Sequence, residues 1–330
     1  MSLTVAVTGP TGEIGISTIE ALEQHPEVTT IIGMARRPFD PAARGWTKTV
    51  YRQGDILDRD AVDGLVADAD VVVHLAFIIM GSRDESARIN LEGTRNVFEA
   101  TAAAQRPRRM VYTSSVAAYG YHPDNPSPIT EDVPVRGSAE HYYSEQKAAC
   151  EATLADATAG SSLEVFVLRP CIVAGPKATA LADAMPWNRL PDGVRRITRA
   201  LPLPKPPFPD PGTPLQLVHH DDVAAAIALA VTTTSAPAGA YNIAGDGLLS
   251  MSDVGEAFGA RPVKVPHLAA VATSEVIARL PFVPFALEWL HAGRASVVMD
   301  TSKAKEHLGW RPEHTSADTL AALADAVNRT

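Results

Sequence analysis

The stretch Val5-Ala-Val-Thr-Gly9-Pro-Thr-Gly12-Glu-Ile-Gly15 joins an apolar run to a helix start through three evenly spaced glycines. The three glycines serve different ends. Gly9 permits a sharp exit from a strand, Gly12 lets backbone approach a phosphate, and Gly15 allows close packing of helix on sheet. The helix that follows offers unpaired N–H groups and a positive dipole end, which suit a pyrophosphate. Gly9, Thr11, Gly12, Glu13, Ile14 and Gly15 are therefore the expected dinucleotide cradle. The spacing is Gly-x-x-Gly-x-x-Gly, which differs from the commonest dinucleotide fingerprint. Taken alone, packing could also require such a turn, so the surrounding chain has to decide.

Short β-branched runs alternate with helical stretches through the first half, the pattern of a parallel sheet with crossover helices. Strands are expected at Leu3 to Thr8, Val28 to Met34, Thr47 to Gln53, Asp70 to Leu75, Arg109 to Thr113 and Leu163 to Leu168. Helices are expected at Glu13 to Glu23, Asp58 to Ala67, Asp84 to Ala104 and Glu140 to Asp156. After Arg169 the regularity fails. Pro202, Pro204, Pro206, Pro207, Pro209, Pro211 and Pro214 exclude a regular helix or central strand and suggest a substrate-facing insertion. A helix at Asp222 to Val231 and a strand at Ala240 to Ile243 suggest a return to the sheet, and Lys303 to Trp310 and Ser316 to Val327 read as helices of a small domain. The expected division is residues 1–170, with 215–245 returning, as the nucleotide-binding domain, and 171–214 with 246–330 as the substrate-binding subdomain.

The 330 residues, 46% of them hydrophobic, are enough for one large α/β core. A net charge of -9 argues against nucleic-acid or anionic-membrane partners, because phosphates would be repelled at long range. Cys150 and Cys171 are the only cysteines, too few for a disulfide framework, and a reducing cytoplasm is the expected setting. The apolar stretch from Leu268 to Leu290 is broken by Glu275, Arg279, Pro281, Pro284 and Glu288, so no membrane span is expected.

The segment His141-Tyr-Tyr-Ser-Glu-Gln-Lys147 puts Tyr143 and Lys147 one helical turn apart on one face, and Ser115 follows an apolar strand. Hydride transfer to a carbonyl needs a proton at the nascent alkoxide, and the reverse reaction needs one removed. Tyr143 is the candidate acid/base, Lys147 the cation expected to lower its pKa, and Ser115 the donor that holds the substrate oxygen. Tyr142 lacks a lysine four residues on. His219, His220, Asp221 and Asp222 superficially suggest a metal site, but neighbouring side chains are expected to diverge, Asp222 reads as a helix cap, and no metal is expected. His74 and Cys171 read as core residues, and Asn90 as either a relay or a local cap.

The ordered series Thr8-Gly9-x-x-Gly12-x-x-Gly15, Gly54-Asp55-Ile56-Leu57-Asp58, His74-Leu75-Ala76, Asn90-Leu-Glu-Gly93-Thr94, Tyr112-Thr-Ser-Ser115, Tyr143-x-x-x-Lys147, Leu168-Arg-Pro170, Val218-His-His-Asp-Asp222 and Leu308-Gly-Trp310 resembles the extended short-chain dehydrogenase/reductase superfamily, in its NAD-dependent epimerase/dehydratase branch. The resemblance covers nearly the whole chain. It implies an α/β, Rossmann-like doubly wound parallel sheet with a smaller C-terminal substrate-binding subdomain. It also implies that Asp55 and Ile56 meet adenine, that Leu75 and Ala76 lie beside the phosphates and ribose, and that Thr113, Pro170 and Ile172 flank the nicotinamide half. Lys147 would bond the nicotinamide ribose, and Phe77, Ser115 and Val116 would face a small-molecule substrate. The helices at Asp84 to Ala104 and Glu140 to Asp156 would serve a homodimer. Two departures matter: Ile172 stands where nucleotide-sugar enzymes of this branch commonly carry asparagine, and Val116 and Ala117 stand where sugar dehydratases carry acids. They favour an oxidoreductase of a less polar carbonyl or alcohol over a nucleotide-sugar epimerase with retained NAD. A nucleotide-sensing protein without turnover is a further alternative, disfavoured by the intact Ser115, Tyr143 and Lys147 set.

The second strand ends Gly33-Met34-Ala35-Arg36-Arg37. Ala35 cannot accept the adenosine ribose hydroxyls as an acidic residue does in NAD-selective proteins, whereas Arg36 and Arg37 suit a 2'-phosphate, so NADP is the expected cofactor and NAD the alternative. Ala35→Asp combined with Arg36→Ser should shift preference from NADP toward NAD, measured as the ratio of Michaelis constants. Unchanged constants for both cofactors would remove the assignment.

Overall fold

The computed structural model describes residues 2–79, 86–185, 205–265 and 297–329. The expectations for the start of the helix at 84–85, Pro202, Pro204 and residues 268–290 lie outside them. Strands in chain order are β1 (Leu3–Thr8), β2 (Val28–Ala35), β3 (Thr49–Gln53), β4 (Val71–His74), β5 (Arg109–Thr113), β6 (Glu164–Pro170), β7 (Ile172–Ala174), β8 (Pro207–Asp210), β9 (Leu217–His219), β10 (Gly239–Ile243) and β11 (Arg261–Lys264). The longer helices are α1 (Glu13–Gln24), α2 (Arg59–Ala67), α3 (Thr94–Ala103), α4 (Tyr142–Thr158), α5 (His220–Thr232), α6 (Met251–Ala257), α7 (Ser302–His307) and α8 (Ser316–Arg329).

The main sheet runs β10-β6-β5-β4-β1-β2-β3, with every pairing parallel. Its strands are apolar on both sides because both faces are covered. Val5, Val7, Val71, Val73, Val111 and Phe166 turn to one core with Ile19 and Leu22 of α1 and Val223 and Ile227 of α5. Ala6, Val72, Met110 and Tyr112 turn to the other with Val62 of α2, Phe98 of α3 and Leu154 of α4. Full burial of one large aliphatic or aromatic side chain contributes about 1.5–3 kcal/mol, so these two layers, more than helix propensity, fix the crossovers. β1 has β2 on one side and β4 on the other, which places a topological switch point at the carboxyl ends of β1 and β4. The prolines Pro207 and Pro209 are accommodated in β8, which pairs only with β11 in a separate two-stranded sheet.

Three local departures from expectation have identifiable causes. The strand expected from Thr47 begins at Thr49, because Thr47 and Lys48 give their backbone N–H groups to the Glu23 carboxylate at 2.9 and 3.0 Å. The helix expected through Ala104 contains a π-helical segment, Arg88–Gly93, ahead of α3. Gly93 lies so close to Ile56 that an added Cβ would meet Ile56 Cγ1 at 2.6 Å. Asp222 is not the cap of α5: His219 holds that place, its Nδ1 accepting from the Asp221 N–H at 3.3 Å. The buried Asp222 carboxylate instead accepts from the N–H groups of Glu313 and His314 at 2.7 and 3.1 Å, and the Asp222 carbonyl accepts from Trp310 Nε1 at 2.9 Å. With Trp310 fully buried, this fastens the chain beyond α7 to the main core.

Candidate active site

At the end of β1, Gly9 takes a left-handed φ of 74°, and its backbone touches the turn after β4: a Cβ there would lie 2.9 Å from Ala76 Cα. A Cβ on Gly15 would lie 2.1 Å from the Gly9 carbonyl oxygen. Both glycines are therefore required by the chain's own packing. Gly12 is different. It caps α1 at φ −76°, which any residue adopts, and an added Cβ would meet nothing nearer than Gly9 O at 3.5 Å. Among the described residues nothing demands glycine there, whereas a ligand pressed on the backbone would. No side chain caps α1, which keeps its N-terminus available to an anion.

Glu13 brings its carboxyl near the backbone of Thr179 and Ala180. Burial raises its carboxyl pKa, against backbone N–H donation from Thr179 and Ala180. Leu75 and Ala76 hang beneath the crevice through N–H bonds to Thr8 O and Thr8 Oγ1, at 3.2 and 3.4 Å. Arg36 and Arg37 stand exposed after β2, with no ion-pair partner among the described residues. Asp55 accepts from the Leu57 N–H at 3.0 Å, and Ile56 is buried against Gly93. Thr113 Oγ1 is buried without a hydrogen-bond partner at the end of β5, Pro170 closes β6 and Ile172 opens β7 half-buried. The open space over Gly12 and the orphaned Thr113 hydroxyl fit a dinucleotide lying across the ends of β1, β4 and β5.

His141 caps α4 through Nδ1, and the helix presents Tyr143 and Lys147 toward the end of β5. Ser115 caps the 3-10 turn Val116–Tyr119, accepting from the Ala117 N–H at 3.2 Å, and lies beside the Tyr143 phenol, on which it acts to lower the pKa. Lys147 donates to the Thr113 carbonyl at 3.0 Å. Phe77 meets the Tyr143 ring edge-on, centroids 5.6 Å apart, and Val116 is 6% exposed in the core on the α1 side. The three expected polar residues and Phe77 thus lie in one place.

Burial is the largest influence on the Tyr143 phenol. It pushes Tyr143 up to about 12, opposed only by Ser115, while the ammonium lies 5.9 Å from the Tyr143 ring centre and is committed to Thr113. Burial also pulls Lys147 down to about 8, with Cys150 and Glu151 opposing. His74, fully enclosed between Thr8 Oγ1 at 2.7 Å and Thr94 Oγ1 at 3.0 Å, falls to about 3 and stays neutral, as a core residue should. His219, His220 and Asp221 do not diverge as expected: they present possible ligand atoms within 4.8 Å of one another. His220 Nδ1 approaches both Ser17 Oγ and Asp221 Oδ1 at 2.9 Å, so the cluster ties α1 to the start of α5.

Sequence reasoning missed the network behind the site. Glu151, one turn after Lys147, accepts from Ser114 Oγ at 2.5 Å and from Arg169 at 2.6 and 3.0 Å. Arg169 also donates to Tyr119 Oη at 2.8 Å, and Tyr119 donates to Asn242 Oδ1 at 2.7 Å. The i,i+4 spacing of Glu151 from Lys147 and the position of Arg169 beside Pro170 were the available signals.

The model of the NAD dependent epimerase/dehydratase family matches residues 5–244. The chain belongs to this family. It is similar to the Mycobacterium tuberculosis protein Rv0501, 25% identical over 327 residues that make up 96% of this chain and 82% of that one. It is also 27% identical over 187 residues to cinnamoyl-CoA reductase 2 of Medicago truncatula, 52% of this chain and 54% of that one. The fold is shared with UDP-glucuronic acid 4-epimerase from Bacillus cereus in complex with NAD, at a TM-score of 0.73 and 19% identity over 99% of each chain. The family and the parallel seven-stranded sheet establish an enzyme of the short-chain dehydrogenase/reductase type with a nicotinamide dinucleotide cofactor. Among the described residues no helix is long and apolar enough to cross a membrane.

Gly12→Ala and Gly15→Ala should separate binding from folding. Gly12→Ala should melt close to the parent yet bind the dinucleotide at least about tenfold more weakly, whereas Gly15→Ala should be severely destabilised by its clash with Gly9. Equal dinucleotide affinity of Gly12→Ala and parent, by calorimetry, would contradict the cradle.

Proposed function

We propose that this enzyme reduces a carbonyl of low polarity with NADPH, with Tyr143 giving the proton to the substrate oxygen. The observation that carries the reading is the meeting of Ser115, Tyr143, Lys147 and Phe77 at the carboxyl end of β5, where burial also keeps the phenol protonated. A neutral phenol is in the state that donates to a developing alkoxide, which is the proton step that reduction requires. The bound cofactor supplies the hydride. Ser115 donates to the substrate oxygen and holds it within reach of Tyr143. Lys147, charged below a pKa of about 8, anchors the end of β5 through Thr113 and offers its ammonium to the cofactor ribose.

The 2'-phosphate of NADP is assigned to Arg36 and Arg37, whose guanidinium groups stand exposed beside Ala35. Phe77 and Ile172 supply apolar surface at the substrate side, and the similarity to a protein named as a cinnamoyl-CoA reductase supports a reductase over a sugar epimerase. The same reading assigns residues 171–214 and 246–330 to substrate binding, and a homodimer to the outer faces of α3 and α4.

Tyr143→Phe should lower NADPH oxidation on a panel of apolar ketones and aldehydes by about 100- to 10,000-fold while leaving the NADPH dissociation constant nearly unchanged. Normal turnover by Tyr143→Phe would sink the mechanism.

A further inference from the structure

We propose that Phe77 is a positioning residue for Lys147, its ring face carrying the ammonium, and that Asn90, Gln146 and Tyr142 form the clamp that holds the ring there. The inference rests on Lys147 being the cation of the active site, and it explains three residues, Asn90, Gln146 and Tyr142, that the reaction itself leaves unused.

Lys147 Nζ lies 3.7 Å from the Phe77 ring centre, against 5.2 Å for Tyr112 and 5.9 Å for Tyr143. The side chain is 3% exposed, its hydrogen bond goes to the Thr113 carbonyl, and among the described residues it has no ion-pair partner. An ammonium taken out of water in this way needs compensation, and the negative face of an aromatic ring provides it without introducing a carboxylate.

The backbone that follows the ring is held by hydrogen bonds. Ile78, the next residue, gives its N–H to Asn90 Oδ1 at 2.8 Å, and its carbonyl accepts from Asn90 Nδ2 at 2.8 Å. Asn90 Nδ2 also donates to Gln146 Oε1 at 2.8 Å, and the Tyr142 hydroxyl donates to the Ile79 carbonyl at 2.8 Å. Gln146 immediately precedes Lys147, and Tyr142 lies on the same helix. The ring and the ammonium are thereby referred to one rigid element, and the π-helical segment is what turns the fully buried Asn90 toward Ile78.

The groups facing Lys147 from each neighbouring element are few. Cys150 and Glu151 come from α4 itself, with Glu151 already paired to Arg169 and Ser114. His74 from β4 is neutral, and β5 contributes the Tyr112 ring and the Thr113 carbonyl. Burial pulls the ammonium down to about 8, and the Phe77 face works against that pull. A lysine is charged below its pKa, so weakening the ring's quadrupole moves the loss of charge to lower pH.

The test is nuclear magnetic resonance titration of Lys147 Cε in protein labelled at its seven lysines, which needs neither substrate nor turnover. A chain that reduces no carbonyl would still decide the matter. Phe77→Tyr should titrate with the parent. Phe77→Leu, and protein carrying pentafluorophenylalanine at position 77, should titrate about half to one pH unit lower. The fluorinated ring keeps the shape of phenylalanine, so it reports even where Phe77→Leu does not fold. If the fluorinated protein titrates with the parent, the ring merely packs there and the proposal is overturned.

Discussion

The ion pair between Glu151 and Arg169 is the constraint on which the site depends. Its side chains are 9% and 8% exposed, and it joins α4, which carries Tyr143 and Lys147, to β6, which ends at Pro170. Through Ser114 the same carboxylate seizes the chain one residue before Ser115. Stranding either charge by losing its partner costs about 3–5 kcal/mol, so the elements that must meet across the crevice are tied by an interaction that tolerates little slippage. Tyr119 and Asn242 extend the network to β10, where the Asn242 N–H donates to Glu131 at 2.7 Å.

The burial that makes this network effective also sets the protonation states around it. Desolvation favours the neutral form of every titratable group, which raises Tyr143, lowers Lys147 and keeps His74 uncharged. The chemical outcome is a protonated phenol beside a hydroxyl donor, with a cation held back against Thr113. The glycine turn contributes the other half, because Gly9 and Gly15 bring β1, α1 and the turn after β4 into contact while Gly12 leaves the helix start bare.

The parallel sheet was legible because its strands are short, β-branched and separated by helical stretches; β1 and β5 fall at their expected bounds, and the others shift by a few residues at their ends. The grouping of Ser115, Tyr143, Lys147 and Phe77 was likewise readable from motif order. Interactions made by single side chains over long separations were not. The turn of Asp222 toward residues 313 and 314, the meeting of Ser17 with His220, and the claim of Glu23 on Thr47 and Lys48 depend on tertiary placement that no local period encodes. The acceptor of Lys147 was hidden for a related reason: helical spacing puts two residues on one face but does not say which acceptor the longer side chain will choose. It chose a backbone carbonyl.

A reductase of this kind exchanges its cofactor at every turnover, whereas an epimerase keeps one through a cycle of oxidation and re-reduction. The most direct measurement is therefore to purify the protein without added nucleotide, denature it, and identify what is released by mass spectrometry. The account predicts an essentially empty protein that then binds NADPH more tightly than NADH. Release of one equivalent of NAD per chain would contradict it and assign the same residues to a recycling epimerase or dehydratase.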